Sequence, residues 1–337
     1  MPQSVANGKT GLRNGGWRDP IAADLELVEA ALRSAVDSSV PRLIEASTNL
    51  LEAGGKRLRP SLALLWAKAC GEAEDPERAI SIASVAELVH MATLMHDDVI
   101  DKSDVRRGRR TANASWGNKL SVLTGDYILS KAFEILVANG DMEIMRILAG
   151  VTTGMTESEA LQAVNEGSIE GWRENYWRII KGKTADFMSS CCEVGAVLAG
   201  AQAAERKAAV DYGTNLGLAF QITDDLLDLI GRPDSTGKPV GGDLKDGKVT
   251  LPILLTLESC SEEEAARIGE LIASRKISNE DVQYVRRIAE AVGAIEKTRS
   301  LASEHSALAV EVLEEFADSP AVCALRTLAE QVIRRQD

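Results

Sequence analysis

Two segments, 80–96 and 216–230, are apolar nearly all the way round a helical wheel. The first carries Ile80, Ile82, Val85, Leu88, Val89, Met91, Leu94 and Met95; the second carries Leu216, Leu218, Phe220, Ile222, Leu226, Leu227, Leu229 and Ile230. A helix without a polar face belongs in the middle of a large protein. Yet the first runs into DDVID (97–101) and the second contains DDLLD (224–228). Residues four apart on a helix share a face, so Asp97 projects with Asp101, and Asp224 with Asp228. Like charges at that spacing repel even in water. Unpaired carboxylates beside a core cost far more. A fold that buries both helices must therefore bring cations to these clusters. One D-D-x-x-D run also arises on solvated helix faces; two of them, each inside an apolar helix, point to divalent metal, because hard ions take carboxylate oxygens.

Helical periodicity recurs from Pro20 onward. It predicts helices over 20–38, 41–53, 60–71, 78–101, 120–138, 142–163, 172–200, 204–231, 250–259, 262–273, 279–293, 295–317 and 320–335. Breaks fall at GG (54–55), GEAEDP (71–76), ANG (138–140), NEGSIEG (165–171) and the long run 231–248. Aromatics are only 4% of the chain and hydrophobic residues 45%, a balance that suits helices and a sizeable core. No β-rich block and no short repeat divides the sequence. We expect an all-α fold with residues 20–337 as one domain, preceded by a polar, Gly- and Asn-rich segment, 1–19, that is disordered or loosely attached.

The cations have candidates. GGKRLRP (54–60) places Lys56, Arg57 and Arg59 in a glycine-led turn before a helix, and RRGRR (106–110) follows the first Asp cluster. Arginine forks and lysine point charges are the side chains that hold phosphate. RRGRR alone would also suit a nucleic-acid patch. With 51 acidic against 38 basic residues, and a net charge of −13, the chain lacks the basic footprint such binding needs. Cys70, Cys191, Cys192, Cys260 and Cys323 form no ligand or disulfide framework and read as thiols in a reducing compartment. No signal peptide and no run of about 18 apolar residues is evident, so a cytoplasmic protein without a transmembrane span is expected.

Seven motifs stand in one order: GGKRLRP (54–60), ELVHMATLMHDDVID (87–101), RRG (106–108), GD (125–126), KGKTADF (181–187), FQITDDLLD (220–228) and GKPVGGDLKDGKVTLP (237–252). With them the chain resembles the trans-isoprenyl diphosphate synthases, the polyprenyl synthetase family, over roughly residues 25 to 335. The resemblance implies a bundle of long antiparallel helices around a deep central cavity, usually a homodimer. It implies that Asp97, Asp101 and Asp224 ligate Mg²⁺, three ions in all. Asp98 would support them, and Asp225 and Asp228 would bond to metal-bound water or lysines. Lys56, Arg59, His90 and Arg107 resemble the pocket for isopentenyl diphosphate. Arg106, Lys183, Thr184, Gln221, Lys238 and Lys248 resemble the contacts to an allylic diphosphate. His96 reads as structural. The spacing is compatible: His90 precedes Asp97 by two turns, and Gln221 shares the face of Asp224 and Asp228.

The implied reaction is head-to-tail condensation of the two diphosphates. Family members with short products often carry an aromatic four or five residues before the first Asp. Here Thr93 and Ala92 stand there, with Val89, Leu88 and Val85 beyond and Leu129, Phe133 and Leu136 as deeper wall. WGNKLSVLTGDY (116–127) and ENYWRIIKGKTA (174–185) also look most like synthases of long quinone tails. The expected product is about seven to ten isoprene units long, its length set by the open depth of the pocket. Geranylgeranyl diphosphate synthesis is the alternative. A non-catalytic partner subunit is another, disfavoured by the complete set of charged positions. A terpene cyclase would lack GGKRLRP.

Overall fold

The alternation of apolar periodicity and short breaks is realised in a computed structural model that describes residues 16–231 and 241–334. The chain runs through α1 (Ala22–Ala35), α2 (Pro41–Glu52), α3 (Leu58–Ala69) and α4 (Pro76–Ile100). A small hairpin of β1 (Val105–Arg106) and β2 (Arg109–Arg110) follows, with Arg106 opposite Arg109. Then come α5 (Ala112–Trp116), α6 (Asn118–Asn139), α7 (Met142–Asn165), α8 (Ile169–Ile180), a π-helical segment (Lys181–Ala185), α9 (Asp186–Leu198) and α10 (Ala203–Ile230). The remainder is α11 (Gly242–Lys245), α12 (Leu251–Ser259), α13 (Glu262–Ser274), α14 (Asn279–Ala291), α15 (Ala294–Val312) and α16 (Pro320–Val332).

Local chemistry fixes the ends. Asp75 accepts the Arg78 amide ahead of Pro76, and Asp141 accepts the amides of Glu143 and Ile144. Side-chain oxygens at these positions satisfy amides that have no partner within the helix. Ser261 with Glu264, and Ser278 with Asp281, form reciprocal capping boxes.

The two all-apolar helices are central, as their composition requires. α4 packs against α1, α3 and α6; α10 packs against α9, the π segment and α15. α4 is the one helix among the described residues long and apolar enough to cross a membrane, with mean hydropathy 1.3, and 72% of that stretch is buried inside the molecule. Its apolar surface is already used by the core.

Four expectations need correction. The helix predicted over 172–200 is broken at Lys181–Ala185, where a π turn intervenes. The β hairpin, α5 and α11 are too short for periodicity to reveal. Order begins before the expected boundary at 19, because Trp17 packs on the core and Arg18 donates to the Lys56 carbonyl at 2.6 Å. Residues 1–15 lie outside the described residues. Phe133 is not an inner wall: it is 38% exposed, while Ile128, Ala132 and Leu136 form the buried face of α6. At 3.6 residues per turn, a residue one position from Ala132 cannot share its face.

Helix backbones meet closely around the π segment. A Cβ on Gly217 of α10 would lie 2.5 Å from the Ala185 Cα, and one on Gly213 would lie 2.5 Å from the Ser189 Cα. Both obstacles are backbone, which cannot swing aside. Gly217→Ala should therefore lower unfolding free energy by about 2 kcal/mol, the usual cost of overpacking. Equilibrium denaturation checks this; an unchanged midpoint would show that the contact relaxes freely.

Candidate active site

A cavity of about 340 Å³ opens between α4, α7 and the π segment, within the range of small-molecule sites. From α4 it receives His90, Thr93, Leu94, His96, Asp97 and Ile100; from α7 Met155, Thr156 and Glu159; from the π segment Lys183 and Thr184; and from the start of α3 Arg59. His90, Thr93, Asp97 and Ile100 recur at helical spacing along one face. Val89 and Ala92 are one face round, 2% and 1% exposed in the core, and do not line the cavity. Of the expected chain-length wall, Thr93 alone stands there.

The first Asp cluster has three different environments. Asp97 faces the cavity. Burial pushes its carboxyl up to about 6; Lys183 works against this, and Glu159 and Asp101 add to it. Asp98 turns away, 2% exposed, and accepts from Arg106 Nε at 2.7 Å. That bond, with Asn113 Nδ2 donating to the Asp98 carbonyl, ties the region after α4 back onto the helix. Asp101 is exposed at the helix end with Lys248 Nζ 3.5 Å away. Lys248 also lies 3.8 Å from Asp243 and from Asp246. Burial would lower its pKa, but Asp243, Asp101 and Asp246 together raise it.

The basic turn shows why two glycines lead it. Gly54 has φ +74°, a left-handed conformation, and its carbonyl accepts from Arg107 Nη1. A Cβ on Gly55 would be 2.7 Å from that guanidinium. The turn and the hairpin are thus one unit, joined further by Arg109 and Glu52. Lys56 is exposed on it. Arg57 points inward to Glu29, to Glu87 at 2.9 Å and to the Leu51 carbonyl at 3.1 Å. Arg59 lies over the Phe187 ring at 4.8 Å, and its Nε is buried without a hydrogen-bond partner. Beside it, burial first and then Arg59, Arg107, Arg106 and Arg57 push His90 well below 6.5, so its imidazole is neutral. A desolvated, unpaired guanidinium next to a neutral imidazole is an anion site.

The GD motif has a packing reason. A Cβ on Gly125 would lie 2.3 Å from His96 Nε2, so the glycine makes room for the ring. That nitrogen bonds the Val122 carbonyl at 3.3 Å and pairs with Asp126 at 3.2 Å. His96 is thus hydrogen-bonded to α6, and it also borders the cavity.

The π turn inserts a residue into the helix, and Lys183 and Thr184 both reach the cavity. Lys183 pairs with Glu159 at 2.5 Å and lies 3.4 Å from Gln162 Oε1. Thr184 donates to Gln221 Oε1 at 2.8 Å, and Gln221 Nε2 donates to Asp225 at 2.8 Å. Asp224 is exposed on the second cluster. Among the described residues no lysine pairs with Asp225 or Asp228. Asp225 is 3% exposed, its two oxygens taken by Gln221 and by Tyr176 at 2.7 Å. Asp228 accepts the amides of Gly242 and Asp243, each at 3.1 Å, and so starts α11. Burial, then Asp243 and Asp224, push its carboxyl up to about 8 against those two amide donors. Lys238 lies outside the described residues.

Sequence reasoning missed Glu159 and Asp243. Glu159 had a signal: it sits on α7 between Met155 and Gln162, in a stripe otherwise buried. Asp243 lies inside the motif GKPVGGDLKDGKVTLP, where the resemblance singles out only the lysines. Among the described residues no three His, Cys, Asp or Glu side chains converge to enclose a metal. One or two carboxylates at a time, from Asp97, Asp101 and Asp224, is the donor set that suits Mg²⁺ completed by water and phosphate oxygens. The residues fit the ion.

The polyprenyl synthetase family model matches residues 40–289. The octaprenyl diphosphate synthase of Escherichia coli is 36% identical over 314 residues, 93% of this chain and 96% of that protein. The short chain isoprenyl diphosphate synthase of Methanothermobacter thermautotrophicus is also 36% identical, over 92% of this chain and 96% of that one. Among solved structures, the polyprenyl synthase from Caulobacter crescentus, complexed with calcium and isoprenyl diphosphate, superposes with a TM-score of 0.90 at 35% identity, covering 96% of this chain and 100% of that chain.

The raised carboxyls predict a pH dependence for protein stripped of divalent metal. A carboxyl with a raised folded pKa binds its proton more tightly folded than unfolded. Its contribution is therefore favourable at low pH and lost as pH rises through the folded value. For Asp97 the window runs from 3.8 to about 6, and for Asp228 from 3.8 to about 8. Calorimetry with chelator should show Tm falling from about pH 5 to about pH 8, and Mg²⁺ restoring more at the higher pH. A flat profile would mean the lysines already neutralise these groups.

Proposed function

The chain belongs to the polyprenyl synthetase family, and from that premise we propose that it condenses isopentenyl diphosphate head-to-tail with an allylic diphosphate to make a long-chain all-trans polyprenyl diphosphate. One observation carries the reading. Arg59 and His90 line the same cavity as Asp97, Lys183 and Thr184, so two anionic groups have separate anchors within reach of one apolar space.

Arg59, His90, Arg107 and Lys56 hold the diphosphate of isopentenyl diphosphate and orient its double bond. Lys183 and Lys248 hold the allylic diphosphate, with Lys238 and Arg106 as further candidates; Arg106 acts through Asp98, which it grips. When bound by Asp97, Asp101 and Asp224, Mg²⁺ ions, three in our reading, supply positive charge against the departing diphosphate. As the allylic C–O bond breaks, charge grows on that oxygen, and cations already fixed in place stabilise this state more than the ground state. The double bond then attacks the allylic carbon, a new C–C bond forms, and a proton passes from the former isopentenyl unit to the released diphosphate. Thr184 faces the cationic carbon with oxygen, and Gln221 stands behind it, accepting the Thr184 proton. Leu94, Ile100 and Met155 keep water away.

Two relatives of equal identity bear different chain lengths in their names, so the cavity must decide. No Phe, Tyr or Trp stands among its described lining residues, and Thr93 occupies the position four before Asp97 where bulk would stop a tail. This supports a long product. The partner is a second copy of the chain. Val122 (39%), Leu123 (49%), Phe133 (38%) and Val137 (66%) leave an apolar stripe exposed along α6, continued by Met142 (71%) at the head of α7. Such patches mark interaction surfaces. We place the enzyme in the cytoplasm, as one catalytic domain with no membrane span.

Purified chain incubated with Mg²⁺, labelled isopentenyl diphosphate and farnesyl diphosphate should give one long polyprenol after hydrolysis. Asp97→Ala should lower turnover by at least ~10³-fold while circular dichroism is unchanged. Thr93→Phe should shorten the product; the same length would mean the tail leaves by another route. Light scattering should return the mass of a dimer, and a monomer would exclude the α6 interface.

A further inference from the structure

ENYW (174–177) is the part of the α8 signature that substrate binding leaves unexplained. Tyr176, 1% exposed, holds one end of a connected set of hydrogen bonds that ends at the cavity. Its hydroxyl donates to Asp225 Oδ2 at 2.7 Å; Gln221 Nε2 donates to Asp225 Oδ1 at 2.8 Å; Thr184 donates to Gln221 Oε1 at 2.8 Å. Thr184 lines the cavity and Tyr176 does not.

The directions of these bonds depend on one another. With a phenol donating to one carboxylate oxygen and an amide to the other, Asp225 has both oxygens committed as acceptors. The amide that reaches it must present its NH₂ side, which turns the Gln221 carbonyl toward Thr184 as an acceptor. A threonine hydroxyl has one proton, and that carbonyl takes it. What remains for the cavity is the oxygen with its lone pairs.

Resting on the prenyltransferase reading, we propose that Tyr176 is a positioning residue for the transfer step: through Asp225 and Gln221 it holds the Thr184 hydroxyl with its oxygen, not its proton, toward the allylic carbon that becomes cationic. A fixed dipole with its negative end at developing positive charge lowers the barrier, and the reversed hydroxyl would raise it. Reversed, the same hydroxyl would donate to the bound diphosphate, which favours the ground state and gains nothing in rate. The Tyr176 ring is separately held, packing edge-on to Trp177 at 5.3 Å within a buried cluster. Tyr176→Phe therefore removes the hydrogen bond and keeps the packing.

The test is a cycle of wild type, Tyr176→Phe, Thr184→Val and the double variant, each assayed for kcat, for KM of both diphosphates and for thermal unfolding. Tyr176→Phe should lower kcat about tenfold, as expected for one lost buried hydrogen bond, with both KM values within about twofold. In the Thr184→Val background it should cost less than about twofold more, since the group it orients is gone. Equal losses of kcat in both backgrounds, or a KM effect without a kcat effect, would overturn the proposal. Asp225→Ala is the second probe: with both acceptor oxygens gone, nothing holds the Gln221 amide in its orientation, and kcat should fall at least as far as with Tyr176→Phe. It carries the comparison if Tyr176→Phe does not fold. A folded wild type that incorporates no label refutes the prenyltransferase reading instead. The unfolding data then still read the chain of bonds, which additive effects of Tyr176 and Thr184 would refute.

Discussion

Ending a buried helix in carboxylates sets the terms for everything around this cavity. α4 must be apolar to sit at the centre, and its last turn must then be compensated residue by residue. The compensation is uneven. Asp98 is matched by Arg106 at 2.7 Å and Asp101 by Lys248 at 3.5 Å. Asp97 shares Lys183 with Glu159, which holds that lysine at 2.5 Å, and its carboxyl rises to about 6. The least compensated carboxylate is the one that faces the cavity. A divalent ion with a diphosphate would complete what the protein leaves open there. Three carboxylates within five residues thus hold the hairpin, hold the segment after α11 and face the cavity.

The second cluster divides its labour in the same way. Asp225 is turned into the core and Asp228 starts α11, while Asp224 is exposed. Both arrangements depend on how closely the backbones approach. Gly213 and Gly217 let α10 press on Ser189 and Ala185, and Gly182 leaves no room for a Cβ beside Ser158. The π segment is therefore held between α7 and α10. Lys183 and Thr184 in that segment both line the cavity.

Much of this was legible in the sequence, for identifiable reasons. The helices were, because apolar periodicity over ten or more residues has one structural solution. The Asp clusters and the basic turn were, because charge at the edge of an apolar run is anomalous. What escaped reading depends on direction. That Asp98 and Asp225 point inward, that Val89 and Ala92 miss the cavity and that Phe133 faces outward are matters of helix rotation about an axis the sequence does not locate. The π turn has no signature in periodicity, since a single inserted residue only shifts the phase. Glu159 was legible only as an acid interrupting the stripe of Met155 and Gln162, which a single residue on a long helix marks weakly.

The two inner arginines of the basic turn show how one short stretch can build and serve a site at once. Arg57 and Arg59 are two residues apart, yet only Arg59 lines the cavity. Arg57 sits in the left-handed region at φ +48°, an unfavourable place for a side chain, and its guanidinium is 9% exposed between Glu29 and Glu87. A buried ion pair of this kind adds little net stability, because desolvation offsets its attraction. Its effect is geometric. Glu87 lies one turn before His90 on α4, so the pair fixes the turn to the helix that carries the imidazole. Removing either partner would strand a buried charge, which makes any other docking of the turn costly. Arg59 can then remain buried without a hydrogen bond at Nε, because Arg57 has already determined where it stands.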